Sequence, residues 1–139
     1  MGAAPMGTWE GTNGDGMMFY RVAFAPQGSS DPTVTTTGRD TGISSIKRKT
    51  TGIVQIQLTD TAPGNFLGAV FGTMSATSGN LRGWRAEIDY SNSTLSSGLI
   101  GVALLNTASS PGTPADVTAS TNEQMYCWFI FSKNPLNTN

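Results

Sequence analysis

The segment EQMYCWFIFSKNP, residues 123–135, holds a dense run of aromatic side chains. From Met125 to Phe131 it contains no charged side chain and no strongly polar one. Successive side chains of a β-strand point to opposite faces, so a strand with one face in water alternates apolar and polar residues. Here the odd-numbered and the even-numbered side chains are all apolar, so both faces of the predicted strand need to be covered.

Composition predicts one all-β domain. The chain has 139 residues, of which only 12% are charged, about half the usual share, while Gly, Ser, Thr and Asn are abundant. A formal net charge of −1 gives no electrostatic attraction to nucleic acid or to an acidic membrane surface. No apolar run reaches the ~18 to 20 residues that span a bilayer. We therefore expect neither nucleic acid nor membrane as a partner.

Period-two patterns predict about seven or eight short strands. In residues 53–58, Val54, Ile56 and Leu58 alternate with two glutamines, and residues 84–90 alternate in the same way. Further strands are expected at 17–25, 43–48, 66–76, 98–106 and 123–131, with a turn at 49–52 between the two strands of 43–60. No segment combines helical periodicity with good caps, so the fold class is all-β, a β-sandwich or jelly-roll.

The domain boundaries follow from the same patterns. Residues 17–134 are predicted to form the β-sandwich domain. Residues 1–16 contain five glycines and are expected to be a flexible Gly-rich N-terminal arm, with Trp9 as its anchor. Residues 135–139 are expected to be a C-terminal tail.

One face of the strand at 123–131 remains to be covered once the other packs on the opposite sheet. Tyr126, Trp128 and Ile130, or else the odd-numbered residues, would form an apolar patch comparable to the largest that monomers normally tolerate. The strand at 98–106 raises the same question. The loop 107–121 or a neighbouring subunit could supply the cover, and the pattern favours a subunit interface.

Chemistry-bearing residues are sparse. The chain has no histidine, and its single cysteine, Cys127, is predicted to be a small core residue. Glu87 and Asp89 could act as paired carboxylates in glycoside cleavage, but an exposed ion cluster with Arg85 is favoured. The basic run at 47–49 is expected to be a solvated turn. We therefore predict no catalytic residue, no metal, no cofactor and no enzymatic activity.

The order of the short motifs IKRKTTGIVQIQLTD, FLGA, PADVT and FSKN resembles a family of small tailed-bacteriophage virion proteins, the capsid decoration (cement) proteins. The resemblance covers about residues 43 to 134. The positions that carry it are Arg48, Gly52, Val54, Ile56, Leu58, Asp60, Leu67, Gly68, Ala69, Asp116, Lys133 and Asn134. The first sixteen residues and the NPLNTN tail depart from the pattern.

The resemblance implies a β-sandwich that decorates the outer surface of a capsid, often as a homotrimer at local three-fold points. The implied partner is the major capsid protein, and the implied location is the virion, after assembly in the host cytoplasm. No catalytic residues carry over, because the shared pattern is structural. The candidate subunit or capsid contacts are Trp9, Tyr126, Trp128 and Ile130.

A rival hypothesis is a carbohydrate-binding or fibre-tip β-sandwich module of a phage virion. Sugar binding would require exposed aromatic platforms. Trp84 and Trp128 occupy alternating strand positions and are expected to be packed, which favours the cement role. A third hypothesis, a hydrolase, would require Glu87 or Asp89 in a cleft.

Overall fold

The computed structural model describes residues 9–10, 16–34, 42–109 and 111–133, and there the protein is all-β. Two short 3-10 turns, Tyr90–Asn92 and Leu95–Ser97, precede the eighth strand, and the described residues contain no α-helix. Within the described ranges lie nine strands: β1 Trp9–Glu10, β2 Gly16–Gln27, β3 Ser30–Val34, β4 Ile43–Thr50, β5 Ile53–Leu58, β6 Asn65–Met74, β7 Trp84–Ile88, β8 Leu99–Asn106 and β9 Gln124–Ser132. The all-β prediction is confirmed.

All strand pairs are antiparallel, and they form two sheets. The five-stranded sheet has the order β1-β2-β9-β6, with β3 also paired to β2, and the four-stranded sheet has the order β4-β5-β8-β7. This arrangement is consistent with a β-sandwich. β9 lies between β2 and β6, so the aromatic segment is a central strand of its sheet.

Residues 9–10 of the expected arm pair with Gly16 and Met17 of β2. The rest of that arm up to residue 15 and the expected tail at 135–139 lie outside the described residues. β3 lies between β2 and β4 in the chain and pairs with β2.

The odd-numbered residues of β9 supply the core. Met125, Cys127, Phe129 and Phe131 are fully buried against the inner faces of both sheets. The Phe131 ring makes edge contacts with two other rings, those of Tyr20 and Phe66, at centroid distances of 5.7 and 5.3 Å. Burial raises the pKa of the Cys127 thiol. The prediction that Cys127 is a core residue is confirmed.

The second apolar face of β8 is covered by the chain itself. A Cβ on Gly101 would lie 2.8 Å from the carbonyl oxygens of Asp89 and Asn92, so that turn rests directly on the strand. Leu105 is 1% exposed and bridges to Pro114 of the long loop. The prediction that a subunit covers 98–106 is therefore wrong. The reason is local: a glycine without a side chain lets a neighbouring backbone approach.

Two ion pairs fasten distant segments to the sandwich, and both join residues that carry the sequence resemblance. Arg48 donates to Asp116 from Nε at 3.0 Å and from Nη2 at 2.6 Å, and the Gly52 N–H donates to the same carboxylate at 2.8 Å. Lys133 pairs with Asp60 at 2.5 Å. These residues stabilise the fold by holding the loop and the end of β9 in place.

Residues 47–49, which were expected to form a solvated turn, instead lie at the end of strand β4. There Lys47 pairs with Asp31 at 3.4 Å. The neighbouring Arg48 is held by Asp116, as described above. Two of the three basic residues at 47–49 thus have acidic partners.

Candidate binding face

The even-numbered residues of β9 point away from the core, on the outer side of the five-stranded sheet. In the observed register, Trp128 lies opposite Arg21 of β2 and Val70 of β6. Directly paired residues of antiparallel strands share a face of the sheet. We call this surface the aromatic face. Its members are Phe19, Arg21, Ala23, Val70, Met74, Tyr126, Trp128 and Ile130.

The aromatic face is apolar and partly open to water. Val70 is 60% exposed, and Trp128 and Met74 are each 43% exposed. The hydroxyl of Tyr126 lies 3.8 Å from the Met74 sulfur, so these two side chains contact each other across the strands. Large apolar side chains exposed together are typical of a contact surface for another molecule.

Arg21 is the single charged member of the aromatic face. Its side chain is half-buried, and its Nε is buried without a hydrogen-bond partner. Beside it is a pocket of about 240 Å³, lined by Arg21, Val22, Ala23, Tyr126 and Trp128. The pocket is therefore lined by one cationic and two aromatic side chains.

The structure brings three of the four predicted contact residues together. Tyr126, Trp128 and Ile130 share the aromatic face. The backbone of Trp9 pairs with Met17, and the side chain of Trp9 lies outside the described part of the chain.

The two strand tryptophans differ in exposure. Trp84 is half-buried and packs against the core, as predicted. Trp128 is exposed, so the prediction that Trp128 is packed is wrong for the single chain. The reason is strand parity: Phe129 and its odd-numbered neighbours occupy the core.

Glu87 and Asp89 do not form a common ion cluster. Glu87 pairs with Arg85 at 3.0 Å, and both side chains are about half exposed. Asp89 lies beyond the end of β7 and caps the first 3-10 turn, where it accepts hydrogen bonds from Ser91 and Asn92. These hydrogen bonds lower the pKa of Asp89. The two carboxylates therefore have separate structural partners.

Arg21, Val70 and Met74 were not identified from the sequence. Arg21 is the only charge in the apolar run 17–25, and alternation with the buried Tyr20 and Val22 places it on the outer face. That signal was present in the sequence. The sequence did not show that Arg21, Trp128 and Val70 are neighbours, because the pairing of the strands determines this.

The described residues contain no group of three His, Cys, Asp or Glu side chains suited to a metal ion. Within them, too, no helix has the length and apolar character to cross a membrane. Comparison of the chain with protein-family models, with curated proteins and with solved structures finds no match.

Proposed function

We propose that this chain is a viral structural protein that decorates and stabilises the outer surface of a tailed-bacteriophage capsid, with the aromatic face against the shell. The observation that carries the proposal is the exposure of Trp128, Val70 and Met74 on one continuous sheet surface. Burial of exposed aromatic and aliphatic side chains is the main source of affinity in protein contacts.

The motif resemblance supports the same role. The Arg48–Asp116 and Asp60–Lys133 ion pairs join residues that carry the resemblance, and none of these four residues is a member of the aromatic face. The scaffold is therefore held by one set of residues, and another set is left for contact. A decoration protein needs this division, because attachment to a shell should not disturb its own fold.

The homotrimer and the N-terminal arm also belong to the proposal. Support for a trimer comes from the resemblance, since the chain itself covers the second face of β8. The segment 1–16 would bridge neighbouring capsomers, with Trp9 as its anchor. Docking of a free arm costs ~1 to 2 kcal/mol of ordering entropy per residue, so the arm needs an apolar anchor of this size.

The test compares particles assembled with and without this protein. Decorated particles should withstand higher temperature and stronger osmotic shock than bare ones. Deletion of residues 2–16 removes β1 but should leave the rest of the sandwich folded and weaken attachment. Equal tolerance of decorated and bare particles would contradict the cement role.

A carbohydrate-binding or fibre-tip module is the second candidate function. The exposed ring of Trp128 beside Tyr126 favours it, because sugar rings stack on exposed aromatic platforms. Binding of the purified protein to a glycan array, together with loss of binding in Trp128→Ala, would favour this candidate over the cement role.

A further inference from the structure

We propose that Arg21 binds a carboxylate side chain of the partner protein, an Asp or Glu that enters the pocket between Tyr126 and Trp128. This inference rests on the proposed function and deepens it, because it states what the shell must present to the aromatic face. Arg21 and Trp128 are direct cross-strand neighbours, so the cation and the ring face the same occupant.

The charge environment of Arg21 differs from that of the other basic residues. Within the described part of the chain, Lys47, Arg48, Arg85 and Lys133 each pair with a carboxylate. Arg82 and Lys49 are exposed to water. The guanidinium of Arg21 is half-buried and makes no hydrogen bond or ion pair with any described residue.

A half-buried guanidinium without a partner favours an anion. Its planar fork matches the two oxygens of a carboxylate, and hydrogen bonds between ionised groups are stronger than neutral ones. Arginine, tryptophan and tyrosine are the residues that most often dominate the affinity of protein interfaces. The chemistry of Arg21, Tyr126 and Trp128 thus fits an acidic side chain with apolar neighbours.

The size of the pocket favours a side chain over a sugar chain. Its volume is about 240 Å³, whereas sites for larger free ligands run from about 300 to 1,000 Å³. An Asp or Glu side chain delivered by a protein surface needs only a small recess. The surrounding apolar residues Val70 and Ile130 would contact the rest of that surface.

The occupant is a different protein surface, not the aromatic face of a second copy. A two-fold contact between two aromatic faces would repeat each residue across the axis. No member of the aromatic face carries a carboxylate, so a second aromatic face cannot supply the anion. We assign the carboxylate to the shell protein, which is the partner in the proposed function.

The experiment titrates the ¹⁵N-labelled full chain with two peptides, N-acetyl-Leu-Glu-Leu-amide and the matched N-acetyl-Leu-Gln-Leu-amide. We expect the Glu peptide to shift the Arg21 Nε and Trp128 indole resonances and to bind about tenfold more tightly than the Gln peptide. Equal affinities would overturn the inference, and this comparison needs no variant.

Variants of the full chain sharpen the result. Arg21→Gln should remove the preference for the Glu peptide, and Arg21→Lys should retain only part of it because lysine lacks the fork. Arg82→Gln, an exposed arginine outside the aromatic face, is the matched control and should bind as the wild type does. Glucuronate binding without peptide binding would overturn the inference in favour of a sugar carboxylate.

Particle binding separates this inference from the proposed function. If the Glu peptide is preferred but particles are not decorated, the capsid role fails and the carboxylate site stands. If particles are decorated without any Glu preference, the site chemistry alone fails. If Arg21→Gln dissociates an oligomer of the purified protein, the carboxylate belongs to a second copy and the shell assignment is overturned.

Discussion

Asp116 is the main side-chain anchor of the long loop. It accepts two hydrogen bonds from Arg48 and one from the Gly52 N–H, and it adds to the backbone hydrogen bond from Ala115 N–H to the Leu104 carbonyl. Asp116→Asn replaces one acceptor oxygen with a donor that faces the guanidinium. We expect the Tm to fall by about 5 °C.

The control for Asp116→Asn is Glu87→Gln, which breaks the half-exposed pair with Arg85. Exposed ion pairs contribute little to stability, so the Tm of this variant should change by no more than about 2 °C. Thermal unfolding followed by circular dichroism measures both variants. An equal loss in the two would contradict the role assigned to Asp116.

Acid should destabilise the protein through its hydrogen-bonded carboxylates. The hydrogen bonds from Arg48 lower the pKa of Asp116. Burial alone would raise the pKa of Glu123, but hydrogen bonds from the backbone N–H groups of Ser120, Leu81 and Ala76 lower it. A carboxyl group whose folded pKa lies below its unfolded value stabilises the fold above the unfolded pKa, and that stability is lost as the pH falls through the folded pKa.

We therefore expect the free energy of unfolding to hold steady from pH 7 to about pH 5 and to fall below about pH 4. Urea denaturation at pH 7, 4 and 3 measures this dependence. Asp116→Asn should lose less stability than the wild type over the same interval, because it lacks one of the titrating groups. A free energy of unfolding that rises as the pH falls would contradict this prediction.

At the scale of the single strand, β9 offers a test of which face is buried. Phe129 is 0% exposed and Trp128, its immediate neighbour, is 43% exposed. Phe129→Ala should cost about 3 to 5 kcal/mol of the free energy of unfolding, because it leaves a cavity in the core. Trp128→Ala should cost far less, although it removes the larger side chain. Chemical denaturation of both variants at one pH makes the comparison, and equal losses would contradict the assignment of the aromatic face.

The cover of β8 can be tested with two glycines on outer sheet faces. A Cβ on Gly101 would lie 2.8 Å from two backbone carbonyl oxygens, whereas a Cβ on Gly72 of β6 would meet nothing within 4 Å. Gly101→Ala should destabilise the protein by about 1 to 3 kcal/mol through overpacking. Gly72→Ala should be neutral or stabilise it by up to about 1 kcal/mol. A neutral Gly101→Ala would mean that the turn at 89–92 does not rest on β8.

The strands were largely predictable from the sequence, and their surroundings were not. The alternation of Val54, Ile56 and Leu58 with glutamines placed β5, because that pattern involves only neighbours along the chain. For β8 and β9, both faces are apolar, so alternation could not tell the core face from the other. Gly101 illustrates the limit: a glycine in a strand permits a close approach of another backbone, but the sequence does not say which segment approaches.

At the scale of the whole molecule, the aromatic face should act in attachment and not in folding. Trp128→Glu places a negative charge on an exposed position, so we expect the β-sheet circular dichroism spectrum and the Tm to stay close to those of the wild type. Attachment to particles should fall at least tenfold, because the charge must be desolvated at the contact. Co-sedimentation with particles measures attachment, and light scattering measures the oligomeric state.

Tyr90→Glu is the matched control for Trp128→Glu, since it also replaces an exposed aromatic side chain with a carboxylate, outside the aromatic face, and changes the net charge by the same amount. Its attachment should equal that of the wild type. If both variants detach equally, net charge and not the aromatic face controls binding. If neither detaches, the contact surface lies elsewhere on the molecule.

The sequence by itself determined that this protein is all-β, where most strands run, and that two strands carry apolar side chains on both faces. The tertiary structure decided that Phe129 lies inside and Trp128 outside, that local turns cover β8, and that Arg21 stands beside Trp128. The physical reason is the range of the interactions. The alternation of apolar and polar residues is set by residues two apart in the chain. Which face of a strand is buried, which strands pair and what covers the other face depend on contacts between strands far apart in sequence. These contacts form together when the two sheets pack around one core.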